Sequence, residues 1–167
     1  MKFLFFTLYF PPDLSAGSFR ANALIEALQL RMKPSDEVHI ITTKSSRYKS
    51  YKVDSKSYEE SENIKIHRID IPSHNGGTIS QAFFYFFYAI KALTICKKIK
   101  ADFLIGTSSR LMTGVLTSIA SLLFRIPYYL DIRDIFSESF SDVFFPNSRF
   151  LRNSVKKNAY DKGTEIL

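Results

Sequence analysis

Short runs of consecutive apolar residues alternate with segments of helical periodicity along almost the whole chain, and this alternation constrains the fold more than any single motif. Lys2 to Thr7 reads as a strand buried on both faces. A loop rich in proline and small residues follows from Tyr9 to Ser18. Ala21, Leu24, Ile25 and Leu28 then share one helical face. Glu37–Thr43 is a second β-branched strand. Lys44–Asn63 is polar and aperiodic, which predicts an exposed excursion. Ile64–Ile71 alternates apolar with polar residues, as a half-exposed or edge strand does. Pro72–Gly77 is a loop, Ser80–Lys100 a long helix, Asp102–Gly106 a buried strand, and Leu111–Phe124 a helix apolar nearly all round that should be sandwiched. Pro127–Ile132 is a further strand. An amphipathic stretch, Phe150–Tyr160, precedes Thr164–Leu167, which looks like one more strand opening. The order predicts an α/β fold: a three-layer, Rossmann-like, doubly wound and mainly parallel sheet with right-handed crossovers.

Composition narrows the function classes. The 167 residues suit one domain, and 46% hydrophobic with 23% charged residues is ordinary for a globular core. The single cysteine, Cys96, excludes an internal disulfide, makes a reducing cytoplasm the default, and reads as a small core residue. The net charge of +7 favours an anionic partner or a lysine-rich solvated surface. The apolar start breaks at Pro11-Pro12-Asp13 with no small-residue cleavage site, so a first strand explains it better than a signal peptide. No stretch approaches the roughly 20 apolar residues that span a bilayer. No recognised nucleic-acid module is legible.

Ligands of open parallel sheets bind beyond the carboxyl ends of the strands. Three loops meet that placement. In Thr7–Arg20, Gly17 allows close backbone approach, the helix start at Ser18 suits a phosphate, and Arg20 adds a guanidinium; alternatively Gly17 and Ser18 only cap the helix. In Thr107–Arg110, the hydroxyls of Thr107 and Ser108 either contact substrate or cap the next helix. In Leu130–Ser139, Asp131, Arg133, Asp134 and Glu138 crowd four charges at a strand end, where charges are costly unless paired or used. An internal Arg133–Asp ion pair is the alternative there. His74 is a further cleft candidate. Neither G-x-G-x-x-G nor a P-loop is present.

Nine consecutive uncharged residues, Ala82–Ile90, include four Phe and two Tyr. Ala82, Phe86, Ala89, Leu93 and Cys96 would face the sheet. Phe83, Phe84, Phe87 and Tyr88, with Lys91, would then meet another cover: a membrane interface, a partner domain, or the excursion at Lys44–Asn63.

The opening M-K-F-L-F-F-T-L-Y-F-P-P-D-L-S-A-G-S-F-R, with D-I-R-D-I-F-S-E-S and T-S-S-R further on, resembles family 4 glycosyltransferases of the bacterial branch that builds O-antigen, capsule and colanic acid. Phe136 and Ser137 stand in the places of the aromatic and proline usual after the arginine-aspartate element, a moderate departure, and both prolines of a Thr-Ser-Pro-Pro turn are replaced. The resemblance implies the N-terminal, acceptor-side domain of a GT-B enzyme, spanning residues 1–167, whose C-terminal nucleotide-sugar domain is absent from this chain. It implies a retaining, hexosyltransferase-type transfer from a nucleotide-sugar co-substrate, with no metal and no other cofactor, to a saccharide or polyprenyl-linked acceptor at the cytoplasmic face of the membrane. Gly17 would lie near the donor phosphates, and Arg133 and Asp134 would be catalytic. Arg133 stands where many members carry histidine; arginine can stabilise a phosphate but cannot relay protons. No two glutamates are separated by seven residues, so the family's donor-site signature is missing and the chain alone should be inactive. A stand-alone α/β binding or regulatory domain is the alternative.

Overall fold

The computed structural model describes residues 1–44, 55–71, 78–107 and 111–132. All of these fall in one compact unit, Met1–Ile132. Six strands form one sheet in the order β3-β4-β2-β1-β5-β6. They are β1 (Lys2–Phe6), β2 (Glu37–Thr43), β3 (Tyr58–Ser61), β4 (Ile64–Ile69), β5 (Phe103–Thr107) and β6 (Tyr128–Asp131). All neighbouring pairs are parallel except β3 with β4. Helices α1 (Ala16–Gln29), α2 (Thr78–Ile99) and α3 (Leu111–Phe124) connect them. The expected α/β, mainly parallel, doubly wound sheet is present.

Strand alternation sorts the core into two clusters, one on each face of the sheet. Phe5, Val38 and Ile40 pack with Ala21 and Ile25 of α1. Leu4, Phe6, Ile41 and Leu104 pack with Tyr88, Ala92 and Cys96 of α2 and Leu116 and Ala120 of α3. Burial pushes the Cys96 thiol up to about 11, as befits a packing residue rather than a nucleophile.

Four expectations need correction. Part of the polar stretch before Asn63 forms β3, an antiparallel edge strand whose four residues are mostly exposed, so burial leaves no hydrophobic signature there. β4 is consequently an interior strand, paired on both sides; of the two alternatives the edge one fails, while the half-exposed one fits its four partly buried residues. The sheet-facing stripe of α2 is Tyr88, Ala92 and Cys96, while Phe86 is 60% exposed. The reason is polar: the Tyr88 hydroxyl, 3.0 Å from both Thr7 O and Ile41 O, bonds to carbonyls at the strand ends. Phenylalanine would offer them no donor, although Ile41 O also accepts from Thr7 N–H at 3.1 Å. α3 is not sandwiched among the described residues. It buries Thr113, Leu116, Thr117 and Ala120 and exposes Met112, Val115, Ile119, Leu122 and Leu123. Its small, hydroxylated face fits because Gly106 lets it close on β5. A Cβ at Gly106 would collide with Thr117 Oγ1.

Candidate functional site

β1, β5 and β6 lie side by side and run the same way, so their carboxyl ends share one edge of the sheet. Thr107 is in register with Asp131 on this edge. Ser15 sets where α1 begins above it: its extended backbone and side-chain oxygen cap the helix, the oxygen accepting from Ser18 N–H at 3.2 Å. Gly17 and Ser18 are therefore first-turn residues and not the cap, because the helix starts about one turn earlier than its apolar periodicity alone suggests.

One turn further, Arg20 meets Asp131 at the end of β6. Its Nε donates to Asp131 Oδ2 at 2.7 Å and its Nη2 to Oδ1 at 2.5 Å. The Asp131 carboxylate is mostly buried, whereas 45% of the Arg20 side chain is exposed. The bonds and charge of Asp131 push the Arg20 pKa still higher, so the guanidinium is a permanent cation. With both oxygens bound to the guanidinium, the Asp131 carboxylate fixes the orientation of Arg20.

Thr7 and Thr107 are buried at the same edge, and the Ser18 hydroxyl is buried with no partner among the described residues. The Thr7 hydroxyl is engaged with Tyr9 O at 3.0 Å. A helix N-terminus, an exposed cation and the Ser18 hydroxyl suit a ligand that is anionic or rich in hydroxyls. Among the described residues no cluster of three or more His, Cys, Asp or Glu side chains could hold a metal ion.

The structure thus brings together Gly17, Ser18, Arg20, Thr107 and Asp131. His74, Ser108, Arg133, Asp134 and Glu138 lie outside the described residues. Of the α2 group, Phe83 and Phe87 are 61% and 50% exposed and Phe84 is half-buried. Lys91 is exposed and donates to Asp70 O at 2.9 Å. Tyr88 is 2% exposed in the core, so it cannot touch a membrane; its hydroxyl is spent on the strand carbonyls.

Arg68 is the polar residue that sequence reasoning missed. It is buried on β4, donating to Pro11 O at 2.6 Å and to Glu59 at 3.0 Å, and so ties the β1–α1 loop to the far strands. The break in alternation at His67-Arg68 was its only trace.

No protein-family profile and no curated protein matches this chain. Solved structures do. A UGT73P12 from Glycyrrhiza uralensis, complexed with glycyrrhetinic acid 3-O-monoglucuronide, superposes with a TM-score of 0.51 at 16% identity, covering 87% of this chain and 31% of that one. The likeness is one of fold. A UGT transferase from Siraitia grosvenorii, in complex with UDP, gives a TM-score of 0.49 at 15% identity over 86% of this chain and 31% of its own. The chain therefore spans about a third of the length of these glycosyltransferases.

Proposed function

We propose that this chain is the acceptor-side, N-terminal domain of a GT-B glycosyltransferase that moves a sugar from a nucleotide-sugar to a saccharide acceptor in cell-surface polysaccharide synthesis. The observation that carries the reading is the Arg20–Asp131 pair at the shared carboxyl edge of β1, β5 and β6, beside the α1 N-terminus. The glycosyltransferase-like fold and the opening and arginine-aspartate motifs support it.

In this reading a second domain supplies the nucleotide-sugar site and closes over the edge. Arg20, positioned by Asp131, binds phosphate or sugar oxygens there, and Gly17 lets the donor phosphates approach α1. Arg133 and Asp134 act at the transferred sugar, with retention of anomeric configuration and without a metal. Without its second domain the chain is inactive. The acceptor is polyprenyl-linked, and the enzyme works at the cytoplasmic face of the membrane, which it touches through Phe83, Phe87 and Lys91 of α2.

The test is to express the complete reading frame and assay sugar hydrolysis and transfer across a panel of nucleotide-sugars. Turnover that Arg20→Ala and Arg133→Ala each lower at least about tenfold, with folding intact, is expected. A folded protein that binds saccharide yet turns over no nucleotide-sugar would establish a binding domain instead.

A further inference from the structure

α2 and α3 lie on the same face of the sheet and pack against one another. Both follow a parallel strand and return, so they run in the same direction and end at the same edge. α2 exposes Phe83, Phe86, Phe87 and Ile90, spaced as one helical stripe. α3 exposes Met112, Val115, Ile119, Leu122 and Leu123, with Leu122 at 80%. Scattered exposed apolar residues are ordinary, but nine on two neighbouring helices are not.

The charges within the two helices have one sign. Neither helix contains an aspartate or glutamate, and α3 has no charged residue at all. Lys97 and Lys98 sit in the last turn of α2, Lys100 follows it, and Arg125 follows α3; all four are exposed. The cations thus gather where the two helices end together. Asp102, the next acidic residue in the chain, accepts a bond from Lys2 N–H. Asp102 beside Lys100 and Asp70 beside Lys91 are exposed, so the described rim has a cationic excess of Lys97, Lys98, Lys100 and Arg125 over these two acids. An apolar surface with such an excess complements an anionic lipid bilayer, with apolar side chains in the acyl boundary and lysines among the headgroups. Lying on the bilayer is also the mode the lengths permit, since no described helix is long and apolar enough to cross one.

We infer that α3 forms the second half of a bilayer-docking face, with Ile119, Leu122 and Leu123 entering an anionic membrane alongside Phe83 and Phe87. The inference rests on the membrane contact proposed for α2 and extends it to a helix that the sequence places inside a sandwich. Two docked helices fix the tilt of the domain, which one helix alone leaves free to roll.

The test is co-sedimentation of the full chain with phosphatidylglycerol–phosphatidylcholine vesicles and with pure phosphatidylcholine vesicles. Two double variants separate the arms: Ile119→Ser with Leu122→Ser on α3, and Phe83→Ser with Phe87→Ser on α2. All four positions are exposed, and urea transitions verify that each variant folds. Binding to anionic vesicles only, weakened about tenfold or more by either double variant and by high salt, is expected. Loss with the α2 variant alone overturns the role of α3 and leaves the α2 contact standing. No binding by the wild-type chain overturns both. A concentration-dependent dimer that the α3 variant abolishes, without vesicle binding, assigns the face to a second copy of the chain.

Discussion

Arg20 and Asp131 are 111 residues apart in sequence, yet the guanidinium of one holds both carboxylate oxygens of the other, at 2.7 and 2.5 Å. The pair joins the first turns of α1 to the tip of β6. It puts a permanent cation at the rim of the sheet edge, held in a fixed orientation by the aspartate.

This geometry separates function from stability. Arg20→Lys keeps the charge but loses the two-pronged grip, so turnover in the complete enzyme should fall at least about tenfold. The fold should lose less than about 1 kcal/mol, because the arginine side is nearly half exposed and water screens the pair. Parallel kinetics and urea denaturation of Arg20→Lys and Asp131→Asn measure both. A large stability loss with normal turnover would make the pair structural.

Tyr88 should behave as a core residue. Tyr88→Phe deprives the Thr7 and Ile41 carbonyls of a shared donor and should cost about 1–2 kcal/mol. Tyr88→Ala should cost about 3–5 kcal/mol through the cavity it leaves. Phe86→Ser, on the exposed side of the same helix, should leave the urea midpoint almost unmoved. If instead Phe86→Ser destabilises and Tyr88→Phe does not, the helix phase described above is wrong.

Stability should fall as the solution is acidified from neutrality. His39 Nδ1 and His67 Nε2 are 3.2 Å apart across β2 and β4, with Glu37 near His39 and Lys65 near Glu37. Burial, then the charge of His39, lowers the His67 pKa from 6.5 to about 4. Burial also lowers that of His39, against the opposing pull of Glu37. Between pH 6.5 and about 4 the unfolded chain therefore binds more protons, so stability rises with pH across that window and is lost on descending it. After allowance for solvent screening the loss assignable to His67 is about 1–2 kcal/mol. His67→Gln should flatten the stability profile over this range in urea titrations; an unchanged slope would exclude the pair as its source.

Gly106→Ala should destabilise by about 1–3 kcal/mol, because the added methyl meets Thr117 and forces α3 away from β5. Gly106→Ala combined with Thr117→Ala should recover only part of that loss, since the second change removes the colliding oxygen but keeps the Thr117 Cβ, 2.9 Å from the added methyl. Thermal unfolding of the single and double variants checks the coupling.

The sequence alone determined the layered α/β plan. Period-2 and period-3.6 patterns are local, and Leu4, Phe6, Ile25 and Ile40 occupy the core they predict because a buried strand or helix face must be apolar whatever its neighbours are. The candidate edge was legible for a similar reason, since parallel strands expose their carboxyl ends together. What tertiary structure decided were pairings and phases. Only the folded chain shows that Asp131 is matched with Arg20, that Arg68 is buried on Pro11 O, and that an edge strand lies in a stretch with no hydrophobic signal. The rotation of α2 was hidden because aromatic residues surround the helix, so hydrophobicity cannot choose a face. The choice fell to Tyr88, whose hydroxyl needed two carbonyls brought to it by strands far away in the chain.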